Sequence, residues 1–184
     1  MARHRPLKVV VDTNVVAYYL LATEPFVEEA RAFWHRPLDP AAPTLWEAEM
    51  SNVLWMAART GVIDKRVALR RLGLAASLGI RSVPTRRLWR GALARALNSN
   101  VAAYDTLFVE LAVRERKPLV TFDAKLLAAF PDVAIRPHVL AATKTDVAQI
   151  LPAGVGYRNS VSCFRDDADL RSARGADGRL TTDD

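Results

Sequence analysis

Apolar and polar positions follow two rhythms along this chain. Val9–Val11 is an unbroken β-branched run ending at Asp12, as expected of a strand buried on both faces of a parallel sheet. Ile80–Val83, Leu119–Phe122 and Val133–Ile135 read as further strands. Between them the apolar spacing turns helical: 15–22, 26–34, Thr44 to Thr60 with Gly61 as the stop, an Asp64-capped helix to about Ala76 with Gly79 beyond it, an arginine-rich helix over Thr85–Leu97, another over Val101–Arg116, and a short one over Lys125–Ala129. Residues 36–43, RPLDPAAP, are punctuated by three prolines and predict at most a vestigial strand. Strands alternating with helices predict an α/β fold, a mainly parallel sheet covered by helices. After Pro137 the signal fades. Residues 143–151 allow one short helix, and the chain from 153 to 184 is rich in Gly, Ser, Asp and Arg, which predicts a mobile tail.

Within this pattern some carboxylates occupy the wrong faces. Projected at about 100° per residue, the helix Leu45–Arg59 gathers Leu45, Trp46, Met50, Val53, Leu54 and Met56 on one arc, and Glu49 falls among them. Glu47 falls outside that arc and reads as a solvated surface residue, while Asn52 lies near its edge, one turn from Glu49. In the helix Val101–Arg116, Asp105 projects from the middle of the apolar arc, and Thr106, Glu110 and Arg114 take the opposite side. Asp12 and Asp123 stand where strands end, and ligands of open parallel sheets bind outside the carboxyl ends of strands. Each has a plainer reading. Asp12 and Asp123 could cap the helices that follow them, and Glu49 and Asp105 could pair with a buried arginine or a backbone amide. Taken together, four carboxylates converging on one crevice could not all ionise near neutral pH without a cation. An oxygen-only donor set suits Mg²⁺ or Mn²⁺ over zinc.

Composition narrows the picture. The 184 residues, 51% hydrophobic and 25% charged, predict one globular core. The single cysteine, Cys163, has no internal partner and points to a reducing compartment. Arg3, Arg5 and Lys8 before apolar residues imitate a secretion signal, but Asp12 and Asn14 cut the apolar run in two. No stretch approaches the roughly 18 apolar residues of a membrane span, so a cytoplasmic protein is expected. Residues 1–137 hold 20 Lys/Arg against 13 Asp/Glu, whereas 138–184 hold 6 against 7. The basic excess is compatible with a nucleic-acid partner and does not require one. The three histidines, His4, His35 and His138, lack metal-ligand spacing. There is no nucleophile elbow and no glycine-rich phosphate loop. The word DTN also lacks the second aspartate of a haloacid-dehalogenase-like phosphatase. The four tryptophans predict core or interface packing.

The segments VVDTNV, EMSNVL led by Glu49, AYDTLFVELA around Asp105, and LVTFD ending at Asp123 resemble a PIN-domain ribonuclease, most closely the VapC-like toxins of type II toxin–antitoxin systems. The resemblance covers about residues 7–137 and leaves 138–184 as a C-terminal extension without a counterpart. It implies a three-layer α/β/α sandwich, Mg²⁺- or Mn²⁺-dependent cleavage of RNA, a homodimer, and inhibition by a cognate antitoxin protein. It also implies that Asp12, Glu49, Asp105 and Asp123 form the catalytic metal site, with Asn14 and Thr121 lining it. Asp12 and Asp105 are expected as the principal ligands. Arg86, Arg87, Arg90 and Lys125 are candidates for gripping RNA phosphates. A catalytically idle fold used as an RNA-binding or protein-interaction module is the alternative.

Overall fold

The computed structural model describes residues 6–142; the short helix considered at 143–151 and the tail expected from 153 lie outside the described residues. The chain runs β1 (Leu7–Val11), α1 (Thr13–Leu21), α2 (Val27–Trp34), β2 (Leu38–Pro43), α3 (Leu45–Arg59), α4 (Lys65–Ser77), β3 (Arg81–Val83), α5 (Trp89–Ser99), α6 (Thr106–Glu115), β4 (Leu119–Val120), α7 (Ala124–Ala129), β5 (Ala134–Ile135) and α8 (Pro137–Ala142). The five strands form one wholly parallel sheet in the order β3-β2-β1-β4-β5. Val9, Val10 and Val11 are each at most 1% exposed. Successive strand residues point to opposite faces, so three consecutive buried valines mean that both faces of β1 are covered. The α/β sandwich expected from the strand–helix alternation is therefore the observed fold.

Because β1 lies between β2 and β4, the order of connections reverses beside it. The crevice at the carboxyl ends of β1 and β4 is the switch point where open sheets bind ligands. The Asp12 N–H donates to the Val120 carbonyl at 3.0 Å, joining the two strand ends there. On the other side, the Thr44 N–H donates to the Val83 carbonyl at 2.8 Å and ties the ends of β2 and β3.

Four expectations need correction. The proline-rich 36–43 segment contains a full strand, β2, set between β1 and β3. Pro40–Pro43 are all buried, and that apolar burial, with carbonyls still free to accept, outweighs the donors that Pro40 and Pro43 lack. The arginine-rich helix is broken: Thr85–Arg87 is a 3-10 turn, and α5 begins only at Trp89. The helix expected from Val101 begins at Thr106, after a turn, so Asp105 sits at its N-cap and not on an interior apolar face. The polar side assigned to that helix is also wrong, since Thr106 is fully buried and Glu110 is 5% exposed. Packing of α5 on α6 covers this side. The Thr106 hydroxyl donates to the Ala92 carbonyl of α5 at 2.8 Å. Glu110 accepts from Arg95 at 2.8 Å and from Arg114 at 2.5 Å. Gly91 makes room for that carboxylate, because a Cβ there would stand 2.6 Å from Glu110 Oε2.

The punctuation at Gly61 and Gly79 holds: both take positive φ, +78° and +69°, which costs glycine little. Past Pro137, α8 packs on α2 and Leu140 is fully buried. Among the described residues no helix is long and apolar enough to cross a membrane.

Candidate functional site

Asp12 leaves β1 in extended conformation, 9% exposed, and its carboxylate does not cap α1. It is instead held sideways: Asn14 Nδ2 donates to its Oδ2 at 2.7 Å and the Thr121 hydroxyl at 2.6 Å. Both partners are fixed in turn. The Phe122 N–H donates to Asn14 Oδ1 at 3.1 Å, and the Asp123 N–H to Thr121 Oγ1 at 2.9 Å. The words DTN and TFD, 107 residues apart, thus interlock across the β1–β4 crevice.

Glu49 projects from α3 and is half-buried; its Oε2 accepts from the Thr13 hydroxyl at 2.5 Å. Asp105, partly exposed, makes no capping bond at the start of α6. Asp123 does cap: its Oδ1 accepts from the Lys125 and Leu126 N–H groups at 2.7 and 3.1 Å. The plain reading as a cap therefore holds for one Asp123 oxygen and fails for Asp12. Among the described residues no Lys or Arg forms an ion pair with Asp12, Glu49 or Asp105.

Electrostatics connect these groups. Burial above all, then the charges of Glu49 and Asp105, push the Asp12 carboxyl up to about 7 against the downward pull of Thr121 and Asn14. Burial likewise raises Asp105 to about 6, aided by Asp123 and Glu49 and opposed by the Lys125 charge. Glu49 is raised by burial, with the Thr13 bond opposing. Each carboxylate is thus within electrostatic range of at least one other. They are not a closed cage: among the described residues no three His, Cys, Asp or Glu side chains stand together as a ready group of metal ligands. The fit to a hard divalent ion rests on donor chemistry, oxygen atoms only, and on the shared negative charge.

Asp12 and Glu49 border a cleft of about 400 Å³ that Tyr18, Leu21, Asn52 and Val53 continue. Arg86, Arg87 and Arg90 are exposed just beyond the carboxyl end of β3, and Lys125 is exposed in the first turn of α7.

Two features escaped sequence reasoning. Thr13, which orients Glu49, stands inside the DTN word and was readable there. The second had no local signal. Arg136 bonds Glu29 at 2.5 Å and lies over the Phe122 and Phe26 rings at 4.8 and 5.7 Å, while His138 adds Nδ1 and N–H contacts to Glu29 at 2.8 and 3.0 Å. Burial would raise Glu29, but its bonds to Arg136 and His138 prevail and lower it to about 2. This cluster clamps the ring of Phe122, whose N–H holds Asn14.

No curated protein sequence is matched by this chain. Among solved structures, a protein of Pyrobaculum aerophilum is similar over 73% of this chain and 93% of its own, with 24% identity and a TM-score of 0.56. A toxin–antitoxin complex from Klebsiella pneumoniae is similar over 70% and 97%, with 19% identity and a TM-score of 0.52. VapBC2 from Rickettsia felis, solved with a DNA fragment from its promoter, is similar over 71% and 98%, with 12% identity and a TM-score of 0.51. At such identities the likeness is one of fold. The sequence model of the PIN domain matches residues 9–133, a span that holds all four carboxylates and most of the chain: this protein belongs to the PIN domain family.

Proposed function

We propose that this chain is a divalent-metal-dependent endoribonuclease, hydrolysing RNA phosphodiester bonds, and that it acts as the toxin of a toxin–antitoxin pair. The observation that supports it most is Asp12, a carboxylate locked in one orientation by Asn14 and Thr121, next to two further carboxylates and without a cationic side chain bound to it. A buried carboxylate within electrostatic range of other carboxylates is costly to ionise unless a cation joins it. When bound, Mg²⁺ or Mn²⁺ supplies Lewis acidity and charge relief at the scissile phosphate.

The chain's own residues would do the rest. Asp12 and Asp105 would be the principal ligands, with Glu49 and the free Asp123 oxygen beside them. Asn14 and Thr121 hold Asp12 in place, and Thr13 holds Glu49, before anything binds, as outer-shell partners do at metal sites. Arg86, Arg87, Arg90 and Lys125 would take the flanking phosphates, which positions RNA without reading its sequence.

Incubation of the purified protein with tRNA and rRNA tests this. Internal cleavage that needs Mn²⁺ or Mg²⁺ and stops with EDTA is expected. Cleavage indifferent to chelator, or none, favours the non-catalytic module instead.

An antitoxin partner is supported by the toxin–antitoxin complexes among the similar structures, and protein partners in general by uncovered apolar side chains. On α3 and α4, Trp55, Leu69 and Leu72 are exposed. On α5, Trp89, Leu93 and Leu97 repeat every four residues at 61%, 53% and 78% exposed, a stripe suited to a second copy of the chain. Light scattering should find a dimer that Leu93→Asp dissociates, and co-expression with the product of a short neighbouring gene should yield an inactive complex.

A further inference from the structure

The cleft beside Asp12 and Glu49 is lined by two kinds of group. Its acidic side chains are Asp12 and Glu49. Tyr18, Leu21 and Val53 give it apolar surface, Asn52 adds an amide, and no Lys or Arg lines it. Asn52 is exposed, and its amide has no hydrogen bond to any described residue. The Tyr18 ring is already fixed, stacked on Phe26 at 4.7 Å between centroids and tilted against Phe122 at 5.3 Å.

A phosphate would be repelled here by the neighbouring carboxylates. The lining suits a flat, uncharged group that has an apolar body and a hydrogen-bonding edge. We infer that the cleft holds a subsite for one unstacked nucleobase of single-stranded RNA, packed against Tyr18 and read by the Asn52 amide, next to the phosphate to be cut. The inference rests on the ribonuclease reading for the position of that phosphate. Splayed bases held on aromatic rings and read along their edges are the common mode of sequence-specific RNA recognition. The paired donor and acceptor of asparagine match adenine best. An apolar peptide side chain could fill the same space but would have no use for that amide.

The test uses single-stranded RNA octamers that differ only at the nucleotide flanking the cut. Binding is followed by fluorescence anisotropy in chelator, and cleavage in Mn²⁺. The wild type should prefer adenine, and Asn52→Ala should shrink that preference by about ten- to a hundredfold with an unchanged melting temperature. Tyr18→Leu should weaken binding of every octamer about fivefold or more, while Tyr18→Phe should restore it. Adenine-selective binding without cleavage would keep the subsite and remove the ribonuclease reading. Cleavage with equal base preference in wild type and Asn52→Ala would remove the subsite and leave the ribonuclease standing. Displacement of the RNA by an apolar peptide, with Asn52→Ala silent, would hand the cleft to a protein segment and overturn the inference.

Discussion

Glu110 and Asp12 are almost equally hidden, at 5% and 9% exposed, and the protein treats them in opposite ways. Glu110 receives two guanidinium groups, from Arg95 on α5 and Arg114 one turn along α6, and Gly91 is the residue that leaves it space. Its charge is neutralised within the chain. Asp12 receives neutral donors, from Asn14 and Thr121, and lies within electrostatic range of Glu49 and Asp105. Glu29 repeats the first solution with Arg136 and is lowered to about 2, whereas Asp12 is raised to about 7. Where the fold only needs to join helices, it supplies the counter-charge itself. At the end of β1 it does not, which is what a site that recruits a cation from solution requires.

Substitutions can break this contrast. The largest effect is expected for Asp12→Asn: RNA cleavage falls by about a hundredfold or more, while the melting temperature stays or rises because a repelling charge is gone. Cleavage and thermal melts on the same preparation check both halves. Glu110→Gln should do the reverse. It leaves Arg95 and Arg114 without their partner and costs about 2–3 kcal/mol in denaturant unfolding. That is below the roughly 3–5 kcal/mol of a fully buried pair, because both arginines reach water. The folded fraction should still cut RNA.

The two kinds of carboxylate also predict opposite pH dependence of the metal-free protein. Asp12 and Asp105 are raised from 3.8 to about 7 and about 6, so the folded state holds their protons more tightly than the unfolded chain. Stability should fall as pH rises from about 4 to about 7, and Asp12→Asn should flatten that slope. Glu29 is lowered from 4.5 to about 2, so its contribution is present above the unfolded value and is lost as pH falls toward about 2. Urea titrations in chelator across this range measure both. The smallest effect belongs to Glu47→Gln: an exposed residue whose carboxylate accepts from the Ser82 hydroxyl should change stability by no more than about 0.5 kcal/mol and leave cleavage intact.

How far the sequence disclosed this depends on how local each cause is. Asp12 was legible because a carboxylate closing a β-branched run is conspicuous. Glu49 was legible because α3 keeps its period for 15 residues. Asp105 stands out in the sequence for a reason the structure changes: the apolar periodicity runs back through residues 101–105, which lie before α6, so the residue stands at a helix start. Glu110 was misassigned because α6 is buried on both sides, and a helix enclosed all round shows no polar face to calibrate against. Its partner Arg95 is 15 residues away in the chain. Proline propensity speaks against β2 in the sequence, and burial decides otherwise. The Arg136–Glu29 clamp spans 107 residues and left no local trace.

Among the described residues Asp12, Glu49 and Asp105 form no ion pair with a Lys or Arg, and on the proposed function a divalent cation supplies the missing counter-charge. Isothermal titration of Mn²⁺ into chelator-treated protein at pH 7, repeated in two buffers of different ionisation enthalpy, tests it most directly. Saturable binding that releases protons, lost in Asp12→Asn and kept in Glu110→Gln, is the predicted result. No binding at millimolar Mn²⁺, or equal binding by Asp12→Asn, would contradict it.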